Sequence, residues 1–418
     1  MASLRWTGKA IAVAQVATGT IDSLDATPAN NTYTVTIGGV AISQVGTVDV
    51  TTTATALRVL LNASSHPYFA AITWSGIVGN IIGTADSAGV PFVGAALTET
   101  GAGSGAVTDF AATVANAGPN VLAAANFDTG LLPDNSDTVV FENSSTDVFW
   151  NLDALTAITG LKIKIFKTFT GKIGLNKRVF QTTGAGAVSS LVEEYREDEL
   201  TIDGCTLLNL PEHFGTTTPA GSNRLLFNLK ATQATILIED TSSSAAELNE
   251  PVRIRGTHTD NALYVNGGTV GFCTNDPFDA GALATLFSSE RAKVIVNPGV
   301  TALTTATCDG SSTLYLQCAA TTVNINDGFL VTQGTGAITT LNVNGGTSKL
   351  KSSGTITTLN LNGGNVDMSE DNRAKTITTL NSAASKGVSS SIMYNPSVIT
   401  ITNKLNPSRA CNITVSGA

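Results

Sequence analysis

The densest group of side chains able to do chemistry is an acidic run in the sequence VEEYREDEL. Its carboxylates are Glu193, Glu194, Glu197, Asp198 and Glu199. Strand alternation would place every second residue from Glu193 to Glu199 on one face, Tyr195 included. Glycosidases need two carboxylates held a few ångströms apart, and this spacing would fit such a pair. A solvent-facing or subunit-facing strand whose charges oppose aggregation is the simpler interpretation, so we predict that the chain is not an enzyme.

The three histidines stand apart from one another in the sequence. His66 precedes Pro67 at the end of a predicted helix, where the helix dipole would favour a cation. His213, in LPEHFG, is predicted to lie in a loop. His258 stands two residues before Asp260, the order of a base and its orienting carboxylate, but no serine in a sharp strand-to-helix turn accompanies them. Without paired spacing the histidines do not indicate zinc, and we predict no catalytic, cofactor or metal site.

Other chemically suggestive stretches lack residues that their chemistry requires. DMSEDNR (Asp367–Arg373) has neither the Gly nor the terminal Glu of an EF-hand loop. GAGSGAVTD and TTGAGAVSS lack the Lys-Ser/Thr ending of a phosphate loop and are predicted to be hairpin turns. Phe149 and Trp150 are adjacent, so alternation would expose one of them. Trp6 and Trp74 are predicted to be core or contact anchors.

Composition narrows the class of protein. The chain has 418 residues, of which 13% are charged, and a formal charge of −9. The negative charge disfavours nucleic acid as a partner. No apolar run approaches the roughly 18 residues needed to span a bilayer. The N-terminal AIAVAQV is at the short limit for a signal peptide and alternates as a strand does, so we expect no cleaved signal.

The cysteines indicate neither disulfides nor zinc. They are odd in number, far apart and without CxxC spacing: Cys205, Cys273, Cys308, Cys318 and Cys411. We therefore expect the chain to fold in a reducing cytoplasm.

Residues 1–118 are predicted to form a β-rich docking module with one helix. NTYTVTIGGVAIS (Asn31–Ser43) alternates around a Gly-Gly turn, which indicates a hairpin. TTTATALRVLLNASSH (Thr51–His66) has apolar residues at helical spacing and is followed by Pro67. Four further strands are predicted in YFAAITW, GNIIGTA, GVPFVGAAL and AVTDFAATV.

A Gly/Pro/Asn/Asp-rich joint at Ala115–Asp137 precedes many short strand-like segments. Strands without interleaved helices exclude a doubly wound sheet. Only DAGALATLFSSE (Asp279–Glu290) predicts a helical turn or two. We predict that residues 119–300 form irregular β-helix coils.

Residues 301–418 contain a repeated octet. TTVNINDG, TTLNVNGG and TTLNLNGG begin at Thr321, Thr339 and Thr357, which are 18 residues apart. Related segments are TTATCDG (Thr304–Gly310), at an offset of 17, and TITTLN (Thr376–Asn381), at an offset of 21. A second short strand per repeat is indicated by FLVTQ, TSKLK and NVDMS.

Superposing the octets produces columns of equivalent residues. The apolar columns are Ala320/Ile338/Ile356, Val323/Leu341/Leu359 with Ala306 upstream, and Ile325/Val343/Leu361 with Cys308 upstream. The polar columns are Asn324/Asn342/Asn360 and Asn326/Asn344/Asn362, whose amides are expected to satisfy one another or water. One coil cannot bury its apolar residues alone, so each coil needs neighbours. The interval therefore predicts a β-solenoid with regular coils and a C-terminal cap; a degenerate β-sandwich is the alternative.

Several motifs resemble those of known families. NFDTGLLPDNSDTVVFENSSTDVFWNLD (Asn126–Asp153) resembles the opening coil of single-stranded β-helix proteins. From Arg5 to about Phe272 the chain resembles a group of tailed-bacteriophage virion proteins. The motifs that carry this resemblance are WTGKAIAVAQV, TYTVTIGG, TALRVLLN, FAAITW, AGVPF, DTVVFENSSTDV, FTGKIGL, EYRED and RGTHTDNALYVNGGTVG. The stretch KRVFQTTGAGAVSSL departs from that pattern. The shared motifs are structural, so the resemblance implies membership of the virion rather than a particular task within it.

The expected fold class is mainly β: a β-rich module with one helix, then a parallel β-helix or β-solenoid with coils of roughly 18 residues. The expected function is that of a capsid decoration (cement) protein, assembled in the host cytoplasm as a homotrimer on the major capsid protein lattice. We expect no cofactor, nucleic acid or membrane partner; a host-surface glycan is a further candidate. The alternatives are a tail fibre or tailspike adhesin, and a polysaccharide depolymerase that uses the 193–199 cluster.

Overall fold

The structure is a computed structural model that describes residues 2–37, 39–90, 95–115, 117–119, 123–148, 158–173, 175–182, 191–201, 204–214, 223–241, 250–273, 280–370, 373–382, 390–394, 398–405 and 411–415. In this range, side chains are not described at 67, 175–182, 191–201, 213–214, 223–224, 405 and 411–415. The chain divides into two compact units. One is Thr7–Gly130, and the other joins Met1–Trp6 to Leu131–Ala418.

The Thr7–Gly130 unit contains two antiparallel sheets and one long helix. Its strands are β2 (Val16–Ser23), β3 (Asn31–Ile37), β4 (Val40–Val45), β5 (Ile72–Ser75), β6 (Asn80–Ala85), β7 (Ala96–Gly101) and β8 (Ala106–Val114). Its helices are α1 (Val50–Ala63), α2 (Pro67–Ala70) and the single 3-10 turns Pro28–Asn30 and Ala124–Asn126. The strand orders are β5-β6-β2-β8 and β4-β3-β7. The predicted hairpin over Asn31–Ser43 is confirmed, because β3 and β4 pair antiparallel.

The predicted helix is confirmed as α1, which begins one residue before the range expected from the sequence. Its cap is Asp49, whose carboxylate accepts a hydrogen bond from the Thr52 amide at 2.8 Å. Such a cap satisfies one of the amides that a helix start leaves without a partner. Leu57 and Leu61 are fully buried against the strands of this unit. Leu60, which has the same helical spacing in the sequence, is exposed, so the apolar spacing faces the core only in part.

The prediction that GAGSGAVTD forms a hairpin turn was wrong. This segment joins β7 to β8, but β7 pairs with β3 and β8 pairs with β2. The segment therefore passes between two sheets instead of closing a hairpin. The Asp109 carboxylate accepts a hydrogen bond from the Leu97 amide at 2.6 Å and so links the two strands without a ladder between them.

The larger unit is mainly β and contains two long sheets. Sheet one has 13 parallel strands: β1 (Ser3–Arg5), β9 (Thr138–Phe141), β10 (Leu161–Ile165), β13 (Cys205–Phe214), β15 (Thr235–Thr241), β17 (Ala262–Val265), β19 (Gly281–Ser288), β21 (Val300–Cys308), β23 (Ala320–Ile325), β25 (Ile338–Val343), β27 (Ile356–Leu361), β29 (Lys375–Ser382) and β31 (Ile399–Leu405).

Sheet two has 12 strands, which are parallel except for the antiparallel pair β11–β12. They are β11 (Leu175–Thr182), β12 (Leu191–Thr201), β14 (Asn223–Asn228), β16 (Val252–Arg255), β18 (Thr269–Phe272), β20 (Lys293–Val296), β22 (Thr313–Leu316), β24 (Phe329–Thr332), β26 (Thr347–Leu350), β28 (Gly364–Asp367), β30 (Ser390–Tyr394) and β32 (Cys411–Val415). From β12 onward, successive strands of the chain alternate between the two sheets.

The strand register confirms the predicted columns. Leu341 pairs with Val323 on one side and with Leu359 on the other, and Val343 pairs with Ile325 and Leu361. The offsets of 17 and 21 are confirmed as well, because Ala306 pairs with Val323 and Leu359 pairs with Leu380. The predicted second strands are β24, β26 and β28, again in register. Each repeat thus buries its apolar residues against the repeats before and after it.

The helix predicted in Asp279–Glu290 was wrong. Asp279 lies outside the described residues, and the segment that follows forms strand β19. The Asn261 carbonyl accepts hydrogen bonds from the amides of both Ala284 and Thr285, which is a β-bulge. Leu283 and Leu286 are both buried although they are three apart, the same spacing as that of the buried Ile338 and Leu341 in β25. Spacing of three therefore looked helical in the sequence.

Candidate functional site

The acidic cluster lies on β12, whose backbone is described but whose side chains are not. β12 pairs antiparallel with β11 and parallel with β14. Glu197 is in register with Lys177 on β11 and with Arg224 on β14. Opposite charges in neighbouring strands at one register position stabilise a sheet. The register therefore places Glu197 level with a basic residue on each neighbouring strand, whereas Arg196 is level with Arg178 on β11.

Two of the three histidines, His258 and His213, lie at separate places in the larger unit. The His258 ring accepts a hydrogen bond at Nδ1 from the Asp260 amide at 3.1 Å. This contact joins the ring to the backbone of Asp260, so it is not a bond between a base and an orienting carboxylate. The loop predicted at His213 was wrong, because His213 lies in β13, where the register shifts between Leu210 and His213. Pro211 falls in that irregularity, the usual place for proline in a sheet; the His213 side chain lies outside the described residues.

His66 does not occupy the environment expected from the sequence. It is 9% exposed and packs against Tyr68, with ring centroids 5.1 Å apart. It is the N-cap of α2, and its Nδ1 accepts a hydrogen bond from the Tyr68 amide at 3.2 Å. Burial lowers its pKa. The expected stabilisation of a cation was therefore wrong, because the surroundings favour the neutral ring.

We predict that His66 makes the protein less stable in acid. Its pKa is lowered in the folded chain, so the unfolded chain binds the proton more readily. The contribution is fully present above the ordinary histidine pKa and is lost as the pH falls below it. His66→Asn keeps an N-cap acceptor without a titrating ring. Thermal unfolding between about pH 8 and about pH 5 should show a smaller drop in midpoint for the variant; equal drops would contradict the prediction.

The four cysteines with described side chains are buried: Cys205, Cys273, Cys308 and Cys318. Burial raises the pKa of Cys205 and of Cys318 to about 12 and also raises that of Cys308. A thiol is nucleophilic only as its thiolate, so these groups are poor nucleophiles at neutral pH. The Cys411 side chain lies outside the described residues. Among the residues described, no three His, Cys, Asp or Glu side chains are grouped to hold a metal ion.

A buried ion pair on sheet two was not anticipated. Glu250 and Arg253 are 1% and 5% exposed, and Glu250 Oε2 lies 3.2 Å from Arg253 Nη2. The Asn297 amide donates to Glu250 Oε1 at 3.1 Å and to the Cys273 carbonyl at 2.8 Å. The network joins β16 to residues that follow β18 and β20, and charged groups buried in this way need such partners. The available signal was Arg253 within the apolar strand VRIR.

Within each asparagine column, the side chains are hydrogen-bonded to one another along sheet one. Each side-chain Nδ2 donates to the Oδ1 of the asparagine one repeat earlier. These bonds are Asn342 to Asn324 at 2.8 Å, Asn360 to Asn342 at 2.7 Å, Asn381 to Asn360 at 2.7 Å, Asn344 to Asn326 at 3.0 Å and Asn362 to Asn344 at 2.9 Å. The expectation that these amides satisfy one another is confirmed. The columns thus reinforce the stack.

The turn between β5 and β6 exposes two large apolar side chains. Ile77 is 74% exposed and Val78 is 61% exposed. Val78 has a φ of 52°, which is unusual for a β-branched residue. Strained backbone of this kind persists only where its surroundings hold it, and it is frequent at binding sites.

Hydrogen bonds from three elements hold this turn. Within it, the Asn80 amide donates to the Ile77 carbonyl at 3.0 Å. From β2, the Ile21 amide donates to the Gly79 carbonyl at 2.9 Å. From α1, Arg58 Nη1 donates to the Asn80 carbonyl at 2.6 Å. The turn is therefore a braced apolar projection.

The two tryptophans with described side chains are core residues, as predicted. Trp6 is 2% exposed and its Nε1 donates to the Thr146 carbonyl at 3.2 Å. Trp74 is 3% exposed and packs against Phe69, with ring centroids 6.3 Å apart. Phe149 and Trp150 lie outside the described residues.

Comparisons with known proteins add no assignment to this geometry. No protein-family model matches the sequence, and no curated protein matches it significantly. No helix within the described ranges has the length and apolar character needed to cross a membrane.

Proposed function

We propose that the chain is a structural protein of a bacteriophage virion, built on a β-solenoid, and that it decorates and stabilises the capsid. The observation that carries the proposal is the alternation of strands between two long parallel sheets, with equivalent residues of the 18-residue repeats paired. One strand in each sheet per repeat is the arrangement that a solenoid coil requires. The buried columns and asparagine bonds are suited to a scaffold.

The motifs that resemble phage virion proteins contribute to the cores of the two units. TYTVTIGG begins within β3 and ends one residue before β4, and TALRVLLN lies in α1. FAAITW supplies Phe69 and Trp74 to the same core. DTVVFENSSTDV contains β9, whose Val139 and Phe141 are fully buried. The resemblance therefore concerns residues that determine the fold, which supports a shared architecture.

Docking is assigned to the braced turn of the Thr7–Gly130 unit. Ile77 and Val78 expose apolar surface on a rigid support, and binding through a preorganised group avoids an entropic cost. The proposed partner is the major capsid protein. Strand β8 has no described neighbour on its second edge and presents mostly exposed side chains. Such edges are commonly covered, and we propose a homotrimer, a closed arrangement.

We predict that the protein is abundant in the virion. Quantitative gel staining or mass spectrometry of purified particles should count it in the hundreds, in proportion to the major capsid protein. Light scattering of the isolated chain should give about three times the monomer mass of 42.8 kDa. A handful of copies per particle would contradict the decoration role and would indicate a tail fibre or tailspike. Absence from particles would contradict a virion role.

A further inference from the structure

A buried amide oxygen in the Thr7–Gly130 unit has no hydrogen-bond donor beside it. Asn31, the first residue of β3, is fully buried, and its Oδ1 accepts no hydrogen bond from any of the described residues. A buried polar atom without a partner is uncommon in folded proteins and is often explained by a bound water or ion. The groups around Asn31 decide between these two explanations.

The Asn31 amide lies between two carboxylates. Its Nδ2 donates to Glu99 Oε1, which fixes the orientation of the amide, because an exchange of its two ends would place Oδ1 against that carboxylate. A Cβ on Gly103 would overlap both Asn31 Oδ1 and Asp25 Oδ2, so these two oxygens face the same small space. Neither an amide oxygen nor an ionised carboxylate has a hydrogen to donate.

The negative charge at this place is not balanced by a basic side chain within the described part of the chain. Asp25 accepts hydrogen bonds from the amides of Thr27 and Ser104, and these bonds lower its pKa. Burial raises the pKa of Tyr33, and the charges of Glu99 and Asp25 raise it further. Both carboxylates therefore lie near one buried hydroxyl. A cation would neutralise them, which a water molecule would not.

The Gly-rich segment between β7 and β8 covers this group of oxygens. The Ser104 amide donates to Asp25 Oδ2 at 2.8 Å, although the two residues are 79 positions apart. A Cβ on Gly105 would lie 2.6 Å from the Tyr33 hydroxyl oxygen, closer than a side chain tolerates. Glycine at positions 103 and 105 thus lets the backbone of GAGSGAVTD close over the oxygens.

We propose that Asp25 and Asn31 bind a calcium ion, and that Glu99 orients the Asn31 amide and adds a second negative charge. Calcium accepts about six to eight oxygen ligands in flexible geometry, whereas magnesium requires a near-ideal octahedron and gives up water reluctantly. Asp25 Oδ2 and Asn31 Oδ1 would supply two of the oxygens, and water would supply the others. Because the site uses two carboxylates and an amide, it is compatible with the lack of a group of three His, Cys, Asp or Glu side chains among the described residues.

The inference does not rest on the virion assignment, because its residues all belong to the Thr7–Gly130 unit of one chain. The test is calorimetric titration of the purified full chain with calcium chloride, after removal of metal ions with EDTA, and a parallel titration with magnesium chloride. We expect calcium to bind with a dissociation constant of about 10⁻⁴–10⁻³ M, the range of weak calcium sites, and magnesium to bind at least about tenfold more weakly. Calcium should also raise the midpoint of thermal unfolding, because it would bind the folded chain alone. No binding of calcium, or equal binding of magnesium, would overturn the proposal.

Variants locate the site. Asp25→Asn removes one ligand charge and should weaken calcium binding by at least about tenfold. Glu99→Gln keeps an acceptor for Asn31 Nδ2 but loses the charge, and it should weaken binding by about tenfold, as changes beside a metal ligand do. Asp49→Asn is the matched control, because it makes the same change of charge in the same unit, at a helix cap where asparagine serves equally well. Its affinity should be unchanged.

Both test variants keep an oxygen that accepts the existing hydrogen bonds, so we expect them to fold, and each tests the site if the other does not. Unchanged calcium affinity in either folded variant, or an equal loss in Asp49→Asn, would contradict the assignment.

Discussion

Leu341→Ala is expected to lower the free energy of unfolding by about 2–5 kcal/mol. Leu341 is fully buried in β25, in register between Val323 and Leu359. The truncation removes apolar area and leaves a cavity that both neighbouring repeats must line. In a stacked array each repeat is stabilised by its neighbours, so the loss affects two interfaces. Denaturant unfolding followed by circular dichroism measures the change.

The control for this prediction is on the same strand. Thr339 is exposed, and Thr339→Ala should change the free energy of unfolding by less than about 1 kcal/mol, the span of strand propensities. Similar losses in the two variants would mean that the predicted column is not the source of stability.

Gly346→Ala is expected to lower the free energy of unfolding by more than about 4 kcal/mol, a loss that few point substitutions cause. Gly346 has a φ of 66°, where a side chain is strained. In addition, a Cβ at this position would overlap the Gly328 carbonyl oxygen in the preceding repeat. Because that oxygen belongs to a backbone held in the sheet, the substitution must shift neighbouring repeats. Thermal or denaturant unfolding would show the loss, and a failure to yield folded protein would agree with it.

Gly334→Ala separates the two causes. Gly334 has nearly the same conformation, with a φ of 75°, but its Cβ would lie 3.4 Å from the nearest atom, the Gln317 carbonyl oxygen. Only the conformational strain applies there, so we expect the free energy of unfolding to fall by about 1–2 kcal/mol. Equal effects of the two substitutions would show that strain alone, and not the close approach of repeats, restricts the corner.

Much of the regular part could be predicted because its repeats have nearly constant length. Once Thr321, Thr339 and Thr357 are aligned, pairing of Val323, Leu341 and Leu359 follows, since a shift by one residue would expose them. The asparagine columns were predictable for the same reason. The irregular strands before residue 301 have no repeat of constant length against which their register could be checked. A bulge at Ala284 and Thr285 changed the spacing of buried leucines, and Pro211 was compatible with a strand only at an irregular position.

The polar features were harder to predict than the apolar ones. The pKa of His66 is lowered because folding buries its ring, which packs against Tyr68 and Phe69. Glu250 is joined to Asn297 although 47 residues separate them. Local spacing contains no information about contacts of that range.

The sequence by itself determined the mainly β class, the hairpin and helix near the N-terminus, and the register of the repeats, because periodic burial of apolar residues is a local pattern. Only the tertiary structure decided where charges and strain are placed. The burial of the Glu250–Arg253 pair and the hydrogen bond that Asn297 donates to Glu250 depend on which distant strands meet. Hydrophobic burial recurs along the chain and can be seen in it, whereas electrostatic partners are specified by contacts in space.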